Sequence, residues 1–64
     1  MSDYAEVEAT VVRISAKAVC LMIEDRQLWV PMSVIHEDNL ADIAEGVIDN
    51  FGIAEWFAKR EEIV

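Results

Sequence analysis

The stretch Ala18-Val19-Cys20-Leu21-Met22-Ile23 decides the fold of this 64-residue chain. A continuous apolar run of this length is typical of a strand that is covered on both faces. The run is far too short to span a bilayer, which needs about 20 apolar residues in a helix. We therefore predict a central strand over residues 18–23 and regard it as the best candidate for the core.

The residues before this run predict a first strand. From 4 to 14 the chain is rich in β-branched residues, and Val7, Ala9 and Val11 share the parity of one strand face. Residues 15–17, Ser-Ala-Lys, predict a turn between the two strands.

The residues after the run predict a third strand. Residues 24–26 are polar and turn-like, and residues 27–30 resume a strand-like pattern. Pro31 ends that pattern because proline has no N–H to donate to a sheet. Short antiparallel hairpins of this kind predict a strongly twisted sheet or a small open barrel.

Residues 34–53 are compatible with two interpretations. A helix around 40–50, with Asp38 or Asn39 as its N-cap, is indicated by apolar residues at helical spacing. Those residues are Leu40, Ile43, Ala44, Val47, Ile48 and Phe51. The alternative makes Gly46 a turn and 47–53 a fourth strand, and we favour it because glycine weakens a helix.

The C-terminal segment 54–63 favours a helix. Good helix formers dominate it, and Glu55 and Lys59 are placed to interact one turn apart. The predicted fold class is therefore α+β: one domain over 1–64, built as a small twisted antiparallel meander of three or four strands packed with a C-terminal helix.

Composition limits the classes of partner. Thirteen Asp and Glu against five Lys and Arg give a formal net charge of -8. This field repels phosphate backbones and anionic membranes and attracts basic surfaces, so we expect a basic protein partner and no direct nucleic acid or membrane binding. With one cysteine and no signal-peptide pattern in residues 1–6, we expect a cytoplasmic location.

Three segments carry a resemblance to a known class of proteins. They are Lys17-Ala18 leading an apolar strand, the stretch 28–35 (Leu-Trp-Val-Pro-Met-Ser-Val-Ile), and 53–58 (Ile-Ala-Glu-Trp-Phe-Ala) opening a helix. Together they resemble short proteins of phages and bacterial mobile elements whose strand reads Trp-Ile/Val-Pro-x-Ser and whose closing helix starts around Glu-Trp. The resemblance spans roughly residues 7–63 and implies a compact meander with a terminal helix; residues 36–52 depart from it.

Acidic residues are concentrated in one interval of the chain. Between Arg26 and Lys59 there is no Lys or Arg. The interval contains the predicted partner-binding residues, which are Glu37, Asp38, Asp42, Glu45, Asp49 and Glu55. They are interpreted either as an ordinary solvated face or as a surface that occupies a basic groove in place of nucleic acid.

We expect no catalytic residue, metal site or cofactor. His36 and Cys20 are the only residues of their types, so neither has the neighbours of a zinc site, and residues 37–42 do not match a calcium-binding loop. Ser33 is better explained as a turn or capping residue than as a nucleophile.

The aromatic residues admit two interpretations. Trp29, Trp56 and Phe57 are most simply core residues, and the alternative places them in a protein interface.

These observations predict a phage or mobile-element accessory protein in the cytoplasm of a bacterial host. It would inhibit a nucleic-acid-binding defence complex, as anti-CRISPR proteins and other DNA mimics do, by occupying a basic DNA-binding groove. We expect a monomer or weak homodimer. The alternative is a small structural or adaptor module that binds a partner, or itself, through a patch of Trp29, Trp56 and Phe57.

Overall fold

The computed structural model describes residues 3–63, and its strands follow the apolar runs of the sequence. The strands are β1 (Tyr4–Ile14), β2 (Ala18–Ile23), β3 (Arg26–Pro31) and β4 (Ile48–Ala54), and the helices are α1 (Glu37–Ala41) and α2 (Glu55–Arg60). The strands form one four-stranded antiparallel sheet in the order β3-β2-β1-β4. The predicted α+β class, a twisted meander with a C-terminal helix, is confirmed.

The turns between the first three strands lie where the sequence predicts them. At the β1–β2 turn the Ser15 amide donates to the Ala18 carbonyl at 2.8 Å. The Ser15 hydroxyl accepts from the Ala18 amide at 3.1 Å, which closes the turn. At the β2–β3 turn Glu24 adopts a φ of 57°, in the left-handed region. The pairing of β1 with β2 shifts register between Val11 and Arg13, which increases the local twist.

The fourth strand settles the two interpretations of residues 34–53. Gly46 turns the chain with a φ of 88°, and its amide donates to the Val11 carbonyl at 2.8 Å. The Val11 amide in turn donates to the Val47 carbonyl at 2.8 Å, so the pairing of β1 with β4 begins directly after the turn. The favoured strand is confirmed, and a helix over 40–50 is wrong because this turn and ladder occupy its second half.

The short helix α1 precedes that turn, and its N-cap is His36 rather than Asp38 or Asn39. The His36 Nδ1 atom accepts a hydrogen bond from the Asp38 amide at 3.1 Å, which satisfies one of the free N–H groups at the helix start. His36 therefore acts as the N-cap of α1. The helix ends at Ala41, and Leu40 packs against the core.

The core lies on one face of the sheet, which α2 covers. It contains Val7, Ala9, Val11, Val19, Leu21, Val30, Val34, Ile35, Phe51, Ile53, Phe57 and Ala58. The helix α2 is shorter than the predicted 54–63 and faces the core with Phe57 and Ala58. No helix among residues 3–63 is long and apolar enough to cross a membrane.

The two tryptophans are not core residues, so that part of the prediction is wrong. Trp29 is 50% exposed because its neighbour Val30, of opposite parity in β3, is the residue that points inward. Trp56 is 60% exposed because Phe57 takes the core-facing position in α2, and the Arg60 guanidinium lies 5.5 Å from the Trp56 ring. Phe57 is buried, as predicted.

A 3₁₀ turn at Met32–Val34 carries the chain from the end of β3 to the outer edge of β4. There Ile35 forms a bridge with Ile53, and the His36 amide donates to the Gly52 carbonyl at 2.7 Å. The chain segment that follows one edge strand therefore contacts the other edge strand. This contact curls the sheet around its core and fixes the starting point of α1.

Candidate protein-binding surface

The structure brings five of the six predicted acidic residues to the side of the molecule formed by α1 and β4. Glu37 and Asp38 lie in the first turn of α1, and Asp42 is its C-cap. Glu45 lies in the following loop, and Asp49 lies near the start of β4. All five are exposed.

Two polar side chains anchor this group to the sheet. Asn39 bridges two residues of β4: its Nδ2 donates to the Asn50 carbonyl at 3.0 Å, and its Oδ1 accepts from the Gly52 amide at 2.8 Å. Glu45 Oε2 accepts from the Ile14 amide at 3.3 Å, which ties the loop to the end of β1. The acids of α1 are therefore presented from a helix that is fixed to a strand edge.

The helix can approach β4 closely because residue 52 is a glycine. A Cβ atom at this position would lie 3.1 Å from the His36 Cβ atom, which is tighter than ordinary van der Waals contact. Asn39 Oδ1 and Tyr4 Cβ would also lie within 4 Å of that atom. Gly52 thus leaves the space in which the start of α1 docks.

Two further carboxylates that were not among the predicted site residues lie on β1, the strand next to β4. Glu6 and Glu8 are exposed on β1, and they pair in register with Gly52 and Asn50 of β4. They lie one strand, about 5 Å, from the edge to which α1 is fixed. Glu6 and Glu8 have the parity opposite to that of Val7, so the sequence indicates that they point outward. The pairing of β1 with β4, which places them beside β4, cannot be read from the sequence. We call this group the acidic surface: Glu6, Glu8, Glu37, Asp38, Asp42, Glu45 and Asp49.

Glu55, the sixth predicted residue, differs from the other five because its carboxylate is paired with a base. It is the first residue of α2. Its Oε1 atom lies 3.1 Å from Lys59 Nζ, so its charge is largely balanced. For this reason Glu55 is not included in the acidic surface.

The acidic surface consists of carboxylates that are not paired with Lys or Arg in the described part of the chain, although Arg13 lies in β1 beside Ile14, whose amide binds Glu45. In residues 3–63, no carboxylate of this surface lies in a salt bridge with Lys or Arg; Asp38 Oδ2 is 3.7 Å from His36 Nδ1. On the side formed by the β1–β2 turn, the β2–β3 hairpin and the end of α2, acids and bases alternate. These residues are Lys17, Glu24, Asp25, Arg26, Lys59, Arg60, Glu61 and Glu62.

Arg26 shows how charge is balanced on that second side. Its Nη2 atom donates to the Glu61 carbonyl at 2.6 Å and lies 3.9 Å from the Glu61 carboxylate. Arg60 Nε lies 3.3 Å from the same carboxylate. The four acids and four bases of this second side therefore sum to no net formal charge, whereas the seven residues of the acidic surface are all acidic.

The residues of the acidic surface do not line either of two clefts in the described part of the chain. One cleft, of about 280 Å³, lies between the β2–β3 turn and residues 62–63, and the other lies beside Tyr4 and Trp56. Among the described residues, no three His, Cys, Asp or Glu side chains are arranged to hold a metal ion. Exposed carboxylates in general attract and orient basic surfaces.

The aromatic patch considered as an alternative does not form. Phe57 is 3% exposed and belongs to the core. Trp29 projects from the sheet face that points away from the core, whereas Trp56 lies on α2, which packs on the core side. The two tryptophans are therefore separate exposed residues.

Comparison of the chain with protein families, with curated proteins and with solved structures finds no match.

Proposed function

We propose that this protein binds a basic, nucleic-acid-binding protein through its acidic surface and thereby competes with nucleic acid for the same groove. The observation that carries the proposal is the set of seven exposed carboxylates on α1, on β4 and its preceding loop, and on the neighbouring strand β1, which form no salt bridge with Lys or Arg among residues 3–63. Unpaired like charges repel one another and weaken folding. Contact with a basic partner would replace that repulsion with attraction and so favour binding.

The more specific form of the proposal rests on the resemblance to phage and mobile-element proteins. In this form the protein is a non-catalytic inhibitor in the cytoplasm of a bacterial host, without metal or cofactor. It would act on a nucleic-acid-binding defence complex in the manner of anti-CRISPR proteins. The carboxylates would lie against Lys and Arg residues that otherwise hold phosphates, and they would act collectively.

The experiment compares two variants that lose the same charge from different sides. The first replaces acids of the acidic surface: Glu37→Gln, Asp38→Asn, Asp42→Asn and Asp49→Asn. The matched control replaces acids of the balanced side: Glu24→Gln, Asp25→Asn, Glu61→Gln and Glu62→Gln. Each variant is immobilised and exposed to nuclease-treated bacterial lysate, and captured proteins are eluted with a salt gradient or with duplex DNA.

We expect the wild-type chain and the control to retain a basic nucleic-acid-binding protein that DNA displaces. Exposed ion pairs contribute about 0.5 kcal/mol each, so the loss of four contacts corresponds to a roughly 30-fold weaker Kd for the first variant. Equal retention by both variants, or capture that DNA does not displace, would show that the acidic surface is not the binding site. Capture that is unchanged by salt would exclude charge as its basis.

A further inference from the structure

The two edges of the sheet are protected to very different degrees. The β4 edge is covered: the Gly52 carbonyl accepts from the His36 amide, and the Asn39 side chain satisfies the Gly52 amide and the Asn50 carbonyl. These contacts occupy the groups with which another strand would pair. The β4 edge is thus closed to strand addition at its centre.

Among residues 3–63, nothing covers the β3 edge in this way. The Met32 amide donates to the Lys17 carbonyl at 2.9 Å, which sets the alternation of hydrogen bonds between β2 and β3. Hydrogen-bonded and non-hydrogen-bonded pairs alternate along the register of β2 and β3. The backbone groups of Leu28 and Val30 therefore point toward β2. The N–H and C=O groups of Gln27 and Trp29 therefore point out of the sheet, and both residues are exposed.

The position of Pro31 agrees with this alternation. Pro31 has the same parity as Gln27 and Trp29, and a proline is tolerated in a strand where its missing N–H would face outward. Arg26 marks the other end, where its side chain is held by Glu61. The open part of the edge is therefore the short stretch from Gln27 to Trp29.

We propose that this stretch pairs with the same stretch of a second copy of the chain, forming an antiparallel two-fold dimer across the β3 edges. With Leu28 on the two-fold axis, Gln27 of each copy lies opposite Trp29 of the other. Both backbone groups of each residue are then satisfied by their symmetry mates. The half-exposed Trp29 ring packs beside the Gln27 side chain of the other copy, on the sheet face away from the core.

The distribution of charge favours a second copy at this edge. The sheet order places β3 at the edge opposite β4, the strand to which α1 and its acids are fixed. Near the contact Arg26 is accompanied by Glu24, Asp25 and Glu61, so the local charge is mixed. The segment from Arg26 to Trp29, which includes the paired stretch, contains no acid, so two chains of net charge -8 meet at a segment that adds no contact between carboxylates.

The test uses a proline placed on the outward-facing parity of β3. Gln27→Pro removes the outward N–H of Gln27, and it leaves the bonds between β2 and β3 intact, as Pro31 already does in this strand. Gln27→Ala is the matched control, because it shortens the side chain and keeps the backbone donor. Sedimentation velocity of the full chain and both variants is measured from micromolar to millimolar concentration, at low and high salt.

We expect the wild type and Gln27→Ala to shift with concentration from 7.2 kDa toward twice that mass. The shift should grow at high salt as repulsion is screened. For Gln27→Pro we expect a decrease in dimer of about tenfold or more. A wild type that remains monomeric throughout, or a Gln27→Pro variant that dimerises equally, overturns the proposal.

Amide hydrogen exchange of the wild type gives a readout that does not depend on a variant's folding. As concentration rises, exchange at Gln27 and Trp29 should slow, while Leu28 and Val30 should stay unchanged because β2 already protects them. Exchange at Gln27 and Trp29 that does not depend on concentration contradicts the dimer. These results do not depend on the acidic surface, so they stand or fall separately from the proposed function.

Discussion

Replacing Asn39 with alanine removes the side chain that fixes α1 to β4. The change eliminates the hydrogen bonds from Asn39 to the Asn50 carbonyl and from the Gly52 amide to Asn39, and the second of these is partly buried. A hydrogen bond contributes about 1 kcal/mol net, and a buried donor left without a partner costs about 1–3 kcal/mol. We therefore expect Asn39→Ala to lower the free energy of unfolding by about 2–3 kcal/mol.

This loss is large for so small a domain. Stabilities of roughly 0.05–0.15 kcal/mol per residue correspond to about 3–10 kcal/mol for this chain. At about 4–8 °C per kcal/mol, the melting temperature should fall by about 10–20 °C. Urea denaturation followed by tryptophan fluorescence and circular dichroism measures the change, and superimposable transitions from the two probes justify a two-state treatment.

Asn50→Ala is the matched control for this substitution. Asn50 is exposed, and it meets Asn39 through its backbone carbonyl, which alanine retains. A surface substitution of this kind should change stability by less than about 0.5 kcal/mol. If Asn39→Ala and Asn50→Ala unfold within that margin of each other, the Asn39 bridge does not hold α1 on the sheet.

Three other substitutions test the core, the docking of α1 and the β2–β3 turn. Phe51 is 1% exposed, so Phe51→Ala should lower the free energy of unfolding by about 3–5 kcal/mol in urea denaturation. Ile48 is 68% exposed, so Ile48→Ala should lower it by less than about 0.5 kcal/mol. Similar losses for the two variants would contradict the assigned parity of β4. Gly52→Ala should cost about 1–3 kcal/mol, because the added methyl group would lie 3.1 Å from His36 Cβ; an unchanged melting temperature would show that α1 does not dock there. Glu24→Asn should raise the free energy of unfolding by about 0.5–1 kcal/mol in the same assay, because asparagine tolerates the left-handed φ of 57° better than glutamate does. A loss of stability would refute that explanation.

The strands could be predicted because their determinants are local. Alternation over 4–14, the apolar run at 18–23 and Pro31 each act within a few residues, and the structure places β1, β2 and β3 accordingly. The segment 36–47 could not be resolved in the same way. Leu40, which the helical pattern includes, does contact the core, but from a short helix at the edge of the sheet.

The start of α1 was missed for a specific reason. The residues that commonly cap helices are Ser, Thr, Asp and Asn, and these favour Asp38 or Asn39 as the first residue. The observed cap is the His36 imidazole, and Asn39 instead bonds to β4 thirteen residues away. A side chain committed to a distant strand cannot be recognised from its neighbours in the sequence.

The acidic surface shows the same division between local and non-local information. The interval without Lys or Arg is visible in the sequence and supplies five residues of the surface. The contribution of Glu6 and Glu8 depends on the pairing of β1 with β4, which joins the ends of the chain. The exclusion of Glu55 depends on its contact with Lys59.

The fixing of α1 to β4 makes the two edges of the sheet chemically different. It closes one sheet edge with the segment that carries the acids, so a partner at that edge meets carboxylates and not free backbone groups. The opposite edge at Gln27 and Trp29 then presents free backbone groups with a mixed local charge. Because the Debye length falls from about 30 Å at 0.01 M salt to about 8 Å at 0.15 M, added salt should weaken binding of a basic partner and strengthen self-association. Opposite salt dependence of the two processes follows from the separation of the surfaces, and a single acidic interface serving both could not produce it.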